Sequence, residues 1–314
     1  MALISVTYNG GAAVALVSFE VTVPRFVAVA NLSNRAAFSA DGINWTATTL
    51  PSTASWSAVT YGGGMYVALA SGFTSDTAAY SHDGINWTAA TMPFTASWIS
   101  VAYGNGMFVA VGATTQAKAA YSYDGISWAE TTLARPSGSS SWASVTYGGG
   151  KFVALASSVR DVASSANGIT WTVNATAMPS ASSWYSVTYS NGRFVAVALN
   201  TTATAYSANG TSWTAGETMP ASATWASVTY GFDKFVAVAY GRNAAAYSAS
   251  GTGSWTSSAT MPAANWYSVT YGNGRFVAVG TNCVAYSANG TNWTAGTMPS
   301  NANWSAVTCN GLSH

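Results

Sequence analysis

Short apolar segments alternate with turn residues along the whole chain. In residues 266–303 an alternating segment, WYSVTY, is followed by GNG and then by RFVAVG, which is almost entirely apolar. Alternation predicts a strand with one buried face, whereas a short continuous apolar run predicts a strand covered on both faces. Two shorter segments, VAYS and NWT, flank an Asn-Gly pair, the strongest local hairpin signal. This stretch therefore predicts four antiparallel strands, A to D, with Trp266, Ser268 and Thr270 on one face of strand A.

The same pattern recurs seven times. The strand-D tryptophans are Trp45, Trp87, Trp128, Trp171, Trp213, Trp255 and Trp293. The strand-A tryptophans are Trp56, Trp98, Trp142, Trp184, Trp225, Trp266 and Trp304. Most neighbours within each set lie 41 to 44 residues apart, and the two sets account for all 14 tryptophans. Repeats of this length with four strands predict an all-β, seven-bladed β-propeller that spans residues 1–314 as a single domain.

The two ends of the chain complement each other. The segment that begins at Trp304 matches strand A but is followed by no B, C or D, whereas the segments at Arg25, Ala37 and Asn44 match B, C and D. We expect these N- and C-terminal segments to form one composite blade. Residues 1–18 contain another A–B-like pair, which could compete for that blade, cap it or dock on a partner.

The amino-acid composition excludes some classes of function. Ten Lys plus Arg against nine Asp plus Glu, with only 6% charged residues, give no electrostatic footprint for nucleic acid. The longest aliphatic run near the start, residues 12–17, is too short to span a bilayer, and no basic segment typical of a secretory signal precedes it. We expect Cys283 and Cys309 to be free buried thiols, with a disulfide between them as the alternative.

The Asp-Gly pairs raise a chemical question, because a carboxylate such as Asp83 could be catalytic. The equivalent positions carry Asp41, Asp83, Asp124, Asn167, Asn209, Ser250 and Asn289. Asn cannot replace a general acid or a nucleophile, because an amide neither ionises nor transfers the proton. Both Asp and Asn tolerate the left-handed backbone of a turn. We therefore interpret these residues as turn residues.

The recurrent Ser-x-Asp-Gly-x-x-Trp segments resemble the Asp-box, or BNR-type, repeats of sialidase-like propellers, with one residue fewer than the usual spacing. A sialidase would need an arginine cluster and a Tyr–Glu pair, but this chain has seven Arg, spread over the repeats, and three Glu. No Ser–His–Asp set, metal-ligand spacing or phosphate-binding loop stands out. The sequence thus predicts that the protein is not an enzyme and has no catalytic residue, metal or cofactor.

Two surfaces are candidates for binding. The B–C and D–A loops share one face of the predicted disc and vary between repeats, as binding loops do on a constant scaffold. The candidates on this loop face are Phe73, Asp76, Lys118, Arg160, Asp161, Tyr240 and Arg242. On the opposite face, five cations precede the strand-B Phe: Arg25, Lys151, Arg193, Lys234 and Arg275. This basic rim could meet an anionic glycan or an acidic partner. The alternatives are solvated loops and strand-end cations with packed stems.

The tandem repeats also resemble the propeller modules of bacteriophage tail-fibre, receptor-binding and particle-surface proteins. The resemblance implies a virion protein, made in the host cytoplasm, that mediates attachment to a host-surface glycan or to other virion proteins, without nucleic acid or membrane insertion. A free multivalent microbial lectin is the first alternative. A sialidase-like glycoside hydrolase is the second.

Overall fold

The apolar segments of the repeats form strands. The structure, a computed structural model, describes residues 25–72, 74–113, 117–138 and 140–311, and within these ranges the regular structure is entirely β. No helix suited to crossing a membrane is found there. The strands are β1 (Phe26–Asn31), β2 (Ser33–Ser39), β3 (Thr46–Gly62), β4 (Met65–Ser71), β5 (Thr77–Ser81), β6 (Thr88–Thr91), β7 (Ser97–Gly104), β8 (Met107–Ala113), β9 (Lys118–Ser122), β10 (Ala129–Thr132), β11 (Trp142–Gly148), β12 (Lys151–Val159), β13 (Val162–Ser165), β14 (Thr172–Asn174), β15 (Ser182–Ser190), β16 (Arg193–Ala198), β17 (Thr204–Ser207), β18 (Thr214–Ala215), β19 (Thr224–Gly231), β20 (Lys234–Tyr240), β21 (Ala245–Ser248), β22 (Thr256–Ser257), β23 (Trp266–Gly272), β24 (Arg275–Gly280), β25 (Cys283–Ser287), β26 (Thr294–Gly296) and β27 (Asn303–Cys309).

Consecutive strands pair antiparallel in groups of four. For example, β23 pairs with β24, β24 with β25 and β25 with β26. Two groups are linked into a longer sheet because β3 continues from the last strand of one group into the first strand of the next. Another two are linked where the end of β12 pairs with β15, at Ser157 and Ser183. The repeating unit is thus the four-stranded sheet that the sequence predicts.

The last strand pairs with the first. Strand β27 lies antiparallel to β1, with Cys309 opposite Phe26 and Asn303 opposite Asn31. One sheet therefore combines β27, β1, β2 and the first part of β3, which is the pairing expected from the repeats at the two ends. The expected hairpin in residues 1–18 lies outside the described residues.

The first strands of the units lie side by side around an axis. In order, β3, β7, β11, β15, β19, β23 and β27 each contact the next, and β27 also contacts β3. Cyclic packing of four-stranded antiparallel sheets around their first strands defines a β-propeller.

A β-bulge corrects the predicted alternation of strand A. In β23, Trp266 pairs with Gly280 and Ser268 pairs with Val279, so Tyr267 is an extra residue. The extra residue changes the phase of the strand. Trp266 consequently shares the buried face with Val269, instead of with Ser268 as strict alternation would require. Every first strand has this bulge one residue after its tryptophan.

Neighbouring units pack through small residues. A Cβ added to Gly84 would lie 2.6 Å from Cγ2 of Val27 in the preceding unit. The equivalent contact recurs between every pair of neighbours, including Gly42 against Val277. The first-strand tryptophans are at most 2% exposed and fill the space between sheets. Both cysteines are free, as expected, but they are only partly buried, and this burial raises the pKa of each thiol to about 11.

The two kinds of hairpin turn differ. At the A–B turns both central residues have positive φ, as in Asn105 (49°) and Gly106 (76°), which is the type I′ pattern. At the C–D turns only the glycine has a positive φ, as in Gly84 (71°), and the preceding Asp has a negative φ. The expectation that Asp or Asn is used there for its left-handed backbone is wrong, because its side chain performs a different task, described below.

Candidate ligand-binding site

The first strands enclose a cavity on the propeller axis. Its volume is about 170 Å³, and its wall is built from the residues that follow each first-strand tryptophan. The wall contains seven serines: Ser57, Ser100, Ser144, Ser186, Ser227, Ser268 and Ser305. The bulge explains this placement, because it turns the residues after the tryptophan away from the sheet packing and towards the axis.

Five of these serines accept a hydrogen bond from the neighbouring unit. The backbone N–H of Val187 donates to Oγ of Ser144 at 3.2 Å, and that of Val228 donates to Oγ of Ser186 at 3.0 Å. The equivalent bonds join Val145 to Ser100, Val269 to Ser227 and Val307 to Ser268, at 3.0, 3.1 and 3.2 Å. Each bond satisfies an N–H that would otherwise point towards the cavity.

The other two serines lie at the bulge itself and act as donors. The hydroxyl of Ser57 donates to the carbonyl of Trp98 at 2.6 Å, and that of Ser305 donates to the carbonyl of Trp56 at 2.5 Å. The hydrogen bonds therefore form a continuous cycle between neighbouring units. The same serines thus stabilise the ring and shape the cavity.

Four of the five serines that accept backbone N–H groups keep their own protons available, whereas the hydroxyl of Ser100 also donates to the carbonyl of Val145 at 3.5 Å. Within the described chain, the hydroxyls of Ser144, Ser186, Ser227 and Ser268 make no donor bond. Among the residues that the structure describes, no charged side chain lines the cavity. The wall therefore offers neutral donors, which suit the oxygens of an uncharged polar ligand.

Two tyrosines give the cavity an aromatic side. Tyr185 and Tyr267 occupy the bulge positions of β15 and β23. Tyr185 is 37% exposed, yet the surrounding wall desolvates its phenol and raises its pKa, so the group stays protonated at neutral pH. Tyr240, the last residue of β20, packs on Tyr267 with ring centroids 5.2 Å apart. An aromatic surface beside hydroxyl donors offers both an apolar face and hydrogen-bond donors to a ligand.

The Asp-Gly turns use the Asp side chain as a structural acceptor. Oδ1 of Asp83 accepts the backbone N–H groups of Ile85 and Asn86 and the hydroxyl of Ser81, at 2.8 to 3.0 Å. Burial alone would raise the pKa of Asp83, but these hydrogen bonds outweigh it and lower the pKa to about 2. In another unit the amide oxygen of Asn167 accepts the same set of bonds. The interchange of Asp and Asn along the repeats follows from this shared acceptor role.

The candidate residues of the loop face do not converge on one site. Lys118 pairs with Glu130 at 2.5 Å. Arg160 donates to the carbonyls of Met178 and Thr176, while Asp161 is 2% exposed and accepts both the N–H and the hydroxyl of Ser137. Arg160 and Asp161 thus hold loops in place, whereas Lys118 links the paired strands β9 and β10. Asp76 and Arg242 are exposed, and Tyr240 contacts Tyr267, a residue of the cavity wall, without lining the cavity itself. Phe73 lies outside the described residues.

The basic rim lies at the seams between units. Arg25 donates to the carbonyl of Asp83, and Arg193 donates to the carbonyl of Ser250 at 3.3 Å. Lys234 lies over the Tyr247 ring and Arg275 over the Tyr286 ring, at 5.3 and 5.6 Å. Lys151 is partly buried. These contacts bring the stems against neighbouring turns and rings, and the charges do not meet at one point.

The residues of the axial cavity were not singled out in the sequence. Strict alternation assigned the serines to the tryptophan face, and the bulge that corrects the assignment has no signature in a single strand. The available signal was the repeat itself, because a serine follows each first-strand tryptophan within two residues. Among the described residues, no group of three or more His, Cys, Asp or Glu could hold a metal ion.

Comparison with known proteins gives the fold class but no family. No protein-family model matches the sequence, and no curated protein matches it. Solved structures do match. The chain is similar to YCF48 from Cyanidioschyzon merolae at 13% identity, with a TM-score of 0.59 over 79% of this chain and 86% of that one. It is similar to streptogramin B lyase at 12% identity, with a TM-score of 0.67 over 88% and 94%. It is similar to virginiamycin B lyase from Staphylococcus aureus at 14% identity, with a TM-score of 0.65 over 83% and 86%.

These likenesses correct one expectation from the sequence. Two of the three structures named above are lyases by name, so the expectation that this protein is not an enzyme is contradicted. That expectation assumed that a catalytic set would be visible as a local motif. A propeller brings residues from different blades together at its axis, where no sequence spacing reveals them. Identities of 12 to 14% establish the fold alone, and the activity of those proteins is not transferred to this chain.

Proposed function

We propose that this protein is a seven-bladed propeller that binds a neutral carbohydrate in its axial cavity and serves as an attachment component of a bacteriophage virion. The observation that carries the binding proposal is the cavity wall of seven serines and two tyrosines without a charged side chain. The seven repeats and the cyclic contacts of the first strands support the blade count. The resemblance of the repeats to phage surface modules supports the location.

The chemistry of the wall favours a sugar. Hydroxyl donors at Ser144, Ser186, Ser227 and Ser268 lie on several sides of the cavity, so they can meet ring oxygens and hydroxyls around one small ring. The ring of Tyr185 offers an apolar face to the C–H groups of a sugar. Because the cavity contains no charge, affinity should not change between low and high salt.

The test is a glycan array probed with the parent protein and with Tyr185→Ala and Tyr267→Ala. We expect the parent to retain a neutral glycan, and each variant to bind about tenfold more weakly because about 1.4 kcal/mol of aromatic contact is lost. Tyr123→Ala is the matched control, since Tyr123 is 65% exposed and lies in a C–D turn away from the cavity. The proposal is wrong if no glycan is retained, or if both cavity variants bind like the parent.

Two further measurements examine the rest of the proposal. Purified virions should contain the chain in stoichiometric amounts, and its absence from them would refute the location without affecting the sugar site. The retained glycan should also be recovered and its mass compared by mass spectrometry with that of the glycan supplied, because a similar structure is a lyase by name. An altered mass would show that the protein converts the glycan chemically instead of only binding it.

A further inference from the structure

The wall of the axial cavity has a gap on its aromatic side. The bulge residues of the neighbouring first strands β15, β19 and β23 are Tyr185, Ala226 and Tyr267, and all three line the cavity. Tyr185 is 37% exposed, so the cavity is open to solvent there. Because Ala226 is small, it leaves a gap in the wall between the two tyrosines.

The aromatic surface continues outward from this gap. Tyr240 ends β20, the strand that pairs with β19, and its ring packs on that of Tyr267. The hydroxyl of Thr281 donates to that of Tyr267 at 3.4 Å, a contact that holds the inner ring in place. Tyr240 itself is 40% exposed and does not line the cavity. Two tyrosine rings thus extend from the cavity wall to the surface of the loop face.

A hydrogen-bond donor lies beside the outer ring. Thr224 is directly opposite Tyr240 in the paired strands, and side chains at opposite positions share a face with their Cβ atoms about 5 Å apart. The hydroxyl of Thr224 donates to Oδ1 of Asn200 at 2.6 Å. This bond fixes the orientation of the amide. The exposed Nδ2 group of Asn200 makes no hydrogen bond within the described chain and is available as a donor.

The size of the axial cavity limits what it can hold. Its volume of about 170 Å³ is below the roughly 300–1,000 Å³ that is usual for small-molecule sites, so it has room for no more than one sugar ring. A longer glycan that inserts its terminal ring must leave the cavity across the wall. The gap at Ala226 leads from the cavity to the ring of Tyr240.

We propose that Tyr240 and Asn200 form an outer subsite for the second ring of a neutral oligosaccharide. The C–H face of this ring lies against Tyr240, and one of its hydroxyls accepts a hydrogen bond from Nδ2 of Asn200. The inference rests on the proposed function, because the terminal ring of the same ligand lies in the axial cavity. It adds that the ligand has at least two rings and that residues outside the cavity select for this length.

The test compares ligands of two lengths. Glucose, galactose, mannose and N-acetylglucosamine are each titrated into the full chain as the monosaccharide and as the 1→4-linked disaccharide. In at least one series we expect the disaccharide to bind about tenfold more tightly, or better, because the second ring gains the contacts with the subsite. Equal affinity for both lengths in every series that binds would overturn the subsite and leave the axial site standing. Binding of neither length in any series would refute the subsite together with the axial site on which it depends.

Substitution of the outer ring separates contact with the second sugar from support of the cavity wall. Tyr240→Ala should lower the ratio of disaccharide to monosaccharide affinity about fivefold, because only the disaccharide reaches this ring. Tyr123→Ala is the control for loss of an exposed aromatic ring on the opposite face and should keep the ratio of the parent. If Tyr240→Ala weakens both ligands equally, Tyr240 only supports Tyr267, and the subsite is wrong.

Substitution of the amide tests the hydrogen bond. Asn200→Asp keeps the oxygen that accepts from Thr224 and tolerates the φ of 56°, but it removes the donor. We expect the affinity ratio to fall about threefold. Asn209→Asp is the matched control, because it makes the same change in a C–D turn, where other units carry Asp. The same ratio in both variants would refute the role of Asn200.

Discussion

The backbone N–H of Val307 donates a hydrogen bond to the hydroxyl of Ser268 at 3.2 Å. This bond joins β27 to β23, and the bond from Ser305 to Trp56 joins β27 to β3 on the other side. The last strand is thus held between two neighbours by the same type of contact that links the other units. Its position completes the cycle of contacts around the axis.

Removal of β27 should therefore be far more damaging than removal of a terminal segment of similar length elsewhere. Deletion of residues 304–314 removes nearly all of β27. This strand pairs with β1 and contacts β23 and β3 at the axis. We expect the thermal transition to fall by more than about 6 °C or to lose cooperativity, since a cost above about 4 kcal/mol shifts the midpoint of a domain of this size by roughly that amount. Circular dichroism at rising temperature measures the midpoint and the cooperativity of this transition.

The control for that truncation is deletion of residues 312–314, which leaves β27 intact. Its melting curve should match that of the full chain. If the longer truncation also melts like the full chain, β27 does not close the ring and the composite blade is wrong.

The serine cycle predicts a small, specific loss of stability. Ser305→Ala removes the donor to the Trp56 carbonyl, which should cost about 1 kcal/mol of unfolding free energy. Ser52→Ala, on an exposed position of β3, should change it by less than about 0.5 kcal/mol. Chemical denaturation gives both values. Equal effects would mean that the hydroxyl at the bulge contributes nothing to the contact between units.

Two glycines separate steric packing from backbone strain. Gly84→Ala should cost about 3 kcal/mol, because φ is 71° and the new Cβ would meet Val27 at 2.6 Å. Gly106→Ala should cost only about 1 kcal/mol, since φ is 76° but nothing lies within 4 Å. Urea unfolding measures the loss of unfolding free energy in each variant. A loss of the same size in both would remove the argument that the C–D turns pack against the preceding unit.

The low pKa of Asp83 links stability to pH. A carboxyl whose pKa falls on folding stabilises the protein above its unfolded pKa, and the contribution is lost as the pH falls through the folded value. For Asp83 this window runs from about pH 4 down to about 2. We expect the parent to lose stability in this window and Asp83→Asn to lose less, with similar stability at pH 7.

The measurement is the urea midpoint of both proteins between pH 7 and pH 2. Asn is a suitable replacement because Asn167 makes the equivalent bonds in another unit. Parallel pH profiles for the two proteins would show that the charge of Asp83 does not contribute. A large loss for Asp83→Asn at pH 7 would show that the ionised group itself is required by the turn.

The repeat explains why so much of the fold could be predicted. Hydrophobic periodicity and turn residues are local properties, and their recurrence defined the four-stranded unit and the pairing of β27 with β1. The axial wall could not be predicted in the same way. The bulge at Tyr267 changes which residues share a face, and the change follows from hydrogen bonding to a partner strand.

The sequence by itself determined that the chain forms repeated β sheets with tight turns, because alternation, apolar runs and Asp-Gly or Asn-Gly pairs act over a few residues. It also determined that Asp83 and its equivalents are interchangeable with Asn, which excluded a shared catalytic carboxylate. Only the tertiary structure decided which residues face the axis, which hydroxyls keep free protons and which loop residues are already engaged. Those properties depend on contacts between distant units, and no local pattern encodes them.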